Sequence, residues 1–310
     1  MPDSPRIPII CGPTGSGKTS LAVRLASEYP IEVVSADSRQ IIRLLDIGTA
    51  KPTAEEKQAV RFHLLDIVEP GERYSAYQFI EDADQAIADI LSRNQIPVVV
   101  GGTGLYLRAL VDGVIEIESD NSEIRERLQK EMDGLGAEVM HGRLAEIDPV
   151  EARNVHPNNR IRVLRALEIF ELTHTPKSKL AASGAYKKSG YEYELFCLLP
   201  NRAELYAAID RRVDEMMSGG LLGEVEALVR EGLGPVLRKA NVIGYDELLD
   251  YLDDTCPLDE AIARIKQNTR RYAKRQMTWF RHQLDCTIFE QPELLRVAIE
   301  KHIQRDWIGR

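Results

Sequence analysis

Eight residues near the N-terminus, Gly12-Pro13-Thr14-Gly15-Ser16-Gly17-Lys18-Thr19, carry the clearest chemistry in the chain. They match G-x-x-x-x-G-K-[ST], a loop that cradles polyphosphate. The glycines let backbone N–H groups turn inward around an anion. Lys18 supplies charge, and the helix that starts here adds its positive dipole end. The Thr19 hydroxyl suits Mg2+. Average composition would give this pattern by chance in about one chain in a hundred of this length. The competing reading is a glycine turn with no ligand. The loop implies a phosphate-bearing substrate with Mg2+, but not ATP, because it binds polyphosphate whatever carries it.

Two further stretches could face the same anion. Asp37, in Ser35-Ala36-Asp37-Ser38-Arg39-Gln40, follows an apolar run. A carboxylate there could act as general base or hold a metal through water. It could equally cap a helix, which Asp and Ser both do well. Gly101-Gly102-Thr103-Gly104 also ends an apolar run. Its glycines permit close backbone approach to a ligand, and Thr103 could bond a diphosphate oxygen. Near the other end, Arg264, Lys266, Arg270, Arg271, Lys274, Arg275 and Arg281 occur without an intervening acid, interleaved with Tyr272, Trp279 and Phe280. Arg160, Arg162 and Arg165 form a second basic group. Cations with aromatics suit phosphate backbones and unstacked bases. The plainer alternative is a solvated helix face over a buried aromatic stripe.

These groups need a scaffold. Arg6–Cys11, Ile31–Ala36 and Ile96–Val100 read as apolar strands. Helical spacing follows the first, at Leu21, Ala22, Leu25 and Ala26. Ser75 is placed to cap a helix with the apolar face Phe79, Ile80, Ala83, Ile87, Ile90 and Leu91. Continuous apolar strands alternating with helices predict an α/β fold, a parallel sheet covered on both faces. In such a sheet the carboxyl ends of strands line the ligand crevice, so Gly12, Asp37 and Gly101 should meet there. From about Glu116 the texture becomes charged and helical, notably Glu123–Met132 and Asn159–Leu172, followed by a loose polar loop, Ser178–Gly190. Strand character returns at Tyr193–Leu199. A long helical stretch, Ala203–Arg230, breaks at Gly219-Gly220, and a last helix is expected over Leu258–Gln283. The expected organisation is a P-loop NTPase-like core, 1–115 and 193–310, with a mostly helical insertion at 116–192.

Bulk properties exclude other classes. No apolar run approaches the ~20 residues of a membrane helix, and Met1–Pro8 is polar and proline-rich, so a cytoplasmic protein is expected. The net charge of −9 means that nucleic-acid binding, if present, depends on local patches. The four cysteines, 11, 197, 256 and 286, are far apart in sequence and read as reduced, mostly structural thiols.

Together these residues resemble the tRNA dimethylallyltransferase (isopentenyltransferase) family over nearly the whole chain. The matching stretches are Gly12–Thr19, Asp37-Ser38-Arg39-Gln40, Asp46-Ile47-Gly48-Thr49-Ala50-Lys51-Pro52, His63-Leu64-Leu65-Asp66-Ile67 and Gly101-Gly102-Thr103-Gly104-Leu105-Tyr106. They continue with His156-Pro157-Asn158-Asn159, Arg165-Ala166-Leu167-Glu168, Ile243-Gly244-Tyr245 and Thr269–Arg281. Gly15 stands where the family often has Ala, and both are expected to fit a tight loop. Ile42 stands where tyrosine is common. No paired Cys and His precede Arg310, so the zinc-finger extension of some members is not expected.

The resemblance implies prenylation of N6 of the adenine at tRNA position 37, with dimethylallyl diphosphate as donor. Gly12, Pro13, Thr14, Gly15, Ser16, Gly17, Lys18 and Thr19 would hold the donor diphosphate, Thr19 with Mg2+. Asp37 would be the base at N6, and Thr103 would contact donor and tRNA. Asp37, Ser38, Arg39, Gln40, Arg125, Ile161, Arg162, Val163, Leu164 and Arg165 would contact the anticodon stem-loop. A monomer is expected. Rival readings are a P-loop kinase, an enzyme prenylating free adenine nucleotides, and a non-catalytic RNA-binding protein. The first leaves the basic C-terminal helix unexplained.

Overall fold

The computed structural model describes residues 5–115, 122–184 and 186–309. The expected boundary at Glu116 lies outside the described residues, as do Met1–Ser4 of the polar start. Contacts divide the chain into one unit of Met1–Val111 with Ser189–Arg310, and another of Asp112–Lys188. Both joints fall about four residues earlier than the sequence reading placed them, for local reasons. Val114–Ile115 (β5) pairs antiparallel with Tyr186–Lys187 (β6), so both belong to the insertion. Ser189 and Gly190 are instead tied to Asp84 of the larger unit, the Gly190 N–H donating at 2.9 Å.

The larger unit is built on six strands: β1 (Ile7–Cys11), β2 (Ile31–Ala36), β3 (Phe62–His63), β4 (Ile96–Gly101), β7 (Tyr193–Leu198) and β8 (Thr287–Phe289). Their order is β3-β2-β4-β1-β7-β8, all parallel. Every residue of β1, β2 and β4 is buried, as uninterrupted apolar strands require when both faces are covered. Ile10, Val33 and Val98 share a core with Leu21 and Leu25 of helix Lys18–Ala26 and with Leu295 and Ile299 of helix Pro292–Ile303. Helix Ala76–Ser92 buries Phe79, Ile80, Ala83, Ile87 and Ile90, and Ser75 opens it with a reciprocal capping box to Gln78. A second core holds helices Arg202–Ser218, Leu221–Arg230, Gly234–Ala240, Tyr245–Leu252 and the N-terminal half of Leu258–Gln283. The last runs over the range its periodicity predicts, with Ala261, Ile265, Ala273, Met277 and Phe280 on its buried stripe.

The smaller unit packs Leu128, Met132, Met140, Leu144, Val163, Ala166 and Leu167 into its own core. The stretch read as a loose loop contains a short helix, Lys177–Ala182, and β6. Asp148 fixes that helix by accepting from the Ser178 N–H at 2.8 Å and the Ser178 hydroxyl at 2.6 Å, a long-range tie that no local pattern announces.

Candidate active site

β1 delivers the glycine loop, and the loop's shape explains two glycines. A Cβ on Gly12 would lie 2.4 Å from the Leu198 carbonyl oxygen, inside contact distance. Gly15 has φ +78, and a Cβ there would meet Ile209 at 2.9 Å. Alanine at position 15 is therefore strained in this chain, which corrects the expectation that either residue fits. The Lys18 ammonium donates to the Pro13 carbonyl at 2.7 Å, arched over its own loop. Burial pushes Lys18 down to about 8, opposed by the nearby charge of Asp37.

Beside the loop lies a cavity of about 440 Å3, wholly within the larger unit. Thr14, Lys18 and Thr19 line it, as do Asp37, Ser38, Arg39, Gln40, Gly101 and Gly102. The three strand ends thus converge, as Gly12, Asp37 and Gly101 each sit at the carboxyl end of a neighbouring parallel strand. Asp37 caps a turn rather than a helix: its Oδ1 accepts from the Arg39 N–H at 2.9 Å and the Gln40 N–H at 3.4 Å. Thr103 stands outside the cavity wall. Its hydroxyl accepts from the Ser38 N–H at 2.9 Å and lies 3.3 Å from the Ser38 Oγ, so it positions the Asp37 turn.

Two residues in the wall or behind it carried no separate signal in the sequence. Gln276, buried in the basic helix, accepts from the Thr14 N–H and donates to the Gly102 carbonyl, both at 2.9 Å. It bolts the phosphate loop to the glycine turn after β4. Arg212, from helix Arg202–Ser218, lines the cavity, with burial pulling its guanidinium below its usual value and Asp37 opposing that. It lies in a helical stretch without motif character, so only the fold reveals it. Apolar wall comes from Phe62, Ile209, Val213, Met216, Val242 and Ile265.

The loop that carries Ser38–Gln40 is held by the other matching stretches. Lys51, 2% exposed at its side chain, donates to the Ile42 carbonyl at 2.6 Å, to Asp46 at 2.7 Å and to Asp66. Glu224 accepts from the Ile47 N–H at 2.8 Å, and Gly48 lies flat on Tyr245, where a Cβ would come within 2.4 Å of the ring. Four non-glycine residues here, Leu44, Ala50, Leu64 and Asp66, have positive φ, which shows how far tertiary contacts dictate this backbone.

The basic helix divides in two. Arg264, Lys266 and Arg270 pair with Asp250, Asp214 and Asp210. Arg271, Lys274 and Arg281 are exposed and have no acidic partner among the described residues, while Arg275 lies over the Tyr272 ring at 5.7 Å and lines the cavity. In the insertion, Arg125 and Arg165 each bond the buried Glu168 at 2.8 Å, Arg160 pairs with Asp133, and Ile161 is 83% exposed. Val163 is fully buried in the insertion's core, so its side chain is withdrawn from the RNA-contact set; Leu164 also packs partly against that core.

A glycine-lysine loop ending an interior strand of a parallel sheet, with a carboxylate and a second glycine turn at adjacent strand ends, defines a P-loop-like α/β enzyme. The chain belongs to the IPP transferase family: that family's model matches residues 40–283, and a model for isopentenyl transferases matches 5–69. It is 49% identical to tRNA dimethylallyltransferase 1 of Pelobacter propionicus, over 94% of each chain. It is 46% identical to tRNA dimethylallyltransferase of Anaeromyxobacter dehalogenans, over 96% of this chain and 99% of that one. Among solved structures, the tRNA isopentenylpyrophosphate transferase of Bacillus halodurans matches with TM-score 0.67 and 38% identity, over 97% of both chains. A eukaryotic dimethylallyltransferase acting on tRNA matches with TM-score 0.78 and 28% identity, over 99% of this chain and 80% of that one. No described helix is long and apolar enough to cross a membrane.

Proposed function

We propose that this prenyltransferase moves a dimethylallyl group from dimethylallyl diphosphate to N6 of the adenine at position 37 of tRNA. The observation that carries the reading is one cavity with a phosphate loop, a carboxylate and apolar wall together. The allylic C–O bond breaks, its electrons leave with diphosphate, and the N6 lone pair bonds to the freed carbon. The amine proton passes to Asp37. An exocyclic amine is a weak nucleophile, so catalysis rests on placing it and on stabilising the departing anion. Lys18, Arg212 and the loop N–H groups take the diphosphate. The Thr19 hydroxyl and the Asp37 carboxylate line the same cavity and offer hard oxygen donors that would suit Mg2+, which would neutralise charge on the leaving group. Phe62, Ile209, Val213 and Met216 offer the surface for the five-carbon tail.

The adenine must leave its stack to reach such a cavity, at a cost of a few kcal/mol that gripping the RNA offsets. Arg271, Lys274, Arg275 and Arg281 are the cations of the larger unit best placed for phosphate contacts. Arg125, Ile161, Arg162 and Arg165 provide polar and apolar contacts on the insertion. The test is mass analysis of tRNA nucleosides after incubation with dimethylallyl diphosphate and Mg2+, with parallel arms offering AMP or ATP. A five-carbon gain on adenosine in tRNA alone is expected. Alkylation of AMP but not tRNA, or ATP hydrolysis with unmodified tRNA, would overturn the reading.

A further inference from the structure

Cys11, Cys197 and Cys286 are far apart in sequence, and the sheet brings them together. Cys11 and Cys197 are direct partners across the parallel β1–β7 pair. Cys286 stands just before β8, whose first residue pairs with Phe196 of β7. All three sulfurs lie within 4.8 Å of one another, the first two fully buried and the third half-exposed. Among the described residues, no His or carboxylate shares the cluster. We propose that these three thiols form a binding site for one thiophilic d10 cation of the zinc type.

Geometry and donor chemistry carry this reading. With metal–sulfur bonds of about 2.3 Å, three sulfurs around one ion stand about 4 Å apart, so small side-chain rotations close the observed triangle. An all-sulfur set selects soft cations over Mg2+ or Ca2+. Binding converts three S–H groups to thiolates and releases their protons to solvent. A divalent ion and three thiolates carry a net charge of −1, and Lys18 is near enough to Cys11 and Cys197 to interact with that charge. The half-exposed Cys286 provides the entry, giving up its contact to the Phe280 carbonyl at 3.7 Å. The cluster is separate from the hard-oxygen site for Mg2+, because none of the three cysteines lines the cavity that Thr19 and Asp37 share.

The test uses the full chain, stripped of metal and kept reduced, titrated with Zn2+ against a chromogenic chelator and with Cd2+ in the ultraviolet. One equivalent bound and a thiolate-to-cadmium charge-transfer band are expected. Cys286→Ser should diminish the band and weaken Zn2+ binding by more than about tenfold, since removing even an outer-shell partner costs that much. Cys256→Ser, outside the cluster, should keep both. A second variant, Cys197→Ala, should match Cys286→Ser, so the result does not hang on one mutant's folding, which thermal melting monitors. No wild-type band, undiminished binding by a folded Cys286→Ser or Cys197→Ala protein, or loss of binding in Cys256→Ser overturns the site.

Discussion

Asp37 is held by the two amides that follow it, and Thr103 fixes the same turn from the neighbouring strand. The base role proposed for Asp37 predicts that Asp37→Ala lowers prenyl transfer by about 10²–10⁴, the usual size of a general-base contribution, while the protein stays folded. Single-turnover rates with saturating donor measure this, and full activity in the variant would remove Asp37 from the mechanism. Lys18 makes a pH prediction. Its free-enzyme value of about 8 means the ammonium is charged below that pH and neutral above it. Bound diphosphate favours the charged form. Donor affinity should therefore be flat below pH 8 and fall by up to about tenfold per unit above it. Lys18→Gln should bind weakly at every pH and lack the slope. A flat wild-type profile to pH 9.5 would contradict the assignment.

At the scale of elements, the loop between β2 and helix Ala54–Ala59 has little regular structure and is fixed by ties to distant residues. Lys51 is the centre of those ties, its buried ammonium shared by Ile42, Asp46 and Asp66. Lys51→Met leaves a carbonyl and two carboxylates without their cation. The carboxylates are 62% and 40% exposed, so water recovers part of the loss. The net cost should be about 2 kcal/mol rather than the 3–5 typical of a fully buried broken pair. Urea unfolding measures it, and a change under about 0.5 kcal/mol would show that the network is dispensable. The same variant should raise the KM for tRNA more than that for the donor, because the loop supplies Ser38, Arg39 and Gln40 to the cavity.

Across the whole molecule, a formal charge of −9 coexists with a local cationic surface on the C-terminal half of one helix. If Arg271, Lys274 and Arg281 each neutralise one RNA phosphate, replacing all three by Ala should reduce the slope of log K against log salt by about 2–3. Arg264→Ala, Lys266→Ala and Arg270→Ala should leave that slope unchanged, because those cations already face aspartates of the larger unit. Filter binding of tRNA across a salt series separates the two sets. Equal slopes for both triple variants would mean that the RNA does not lie on this helix.

Sequence alone determined what local forces govern. Buried strands announced themselves as apolar runs, helix Leu258–Gln283 by its 3.6-residue period, Ser75 by its cap, and the phosphate loop by glycines that turn backbone amides inward. Each depends on residues within a turn or two of one another. Tertiary structure decided what depends on residues far apart in the chain. It selected Arg212 from an unremarkable helix, committed Gln276 to the loop and Val163 to the insertion's core. It also paired half of the basic helix with acids and gathered three distant cysteines, two on adjacent strands and one just before the next. Side chains meet through the order of strands and the packing of helices, and neither is encoded in spacing along the chain.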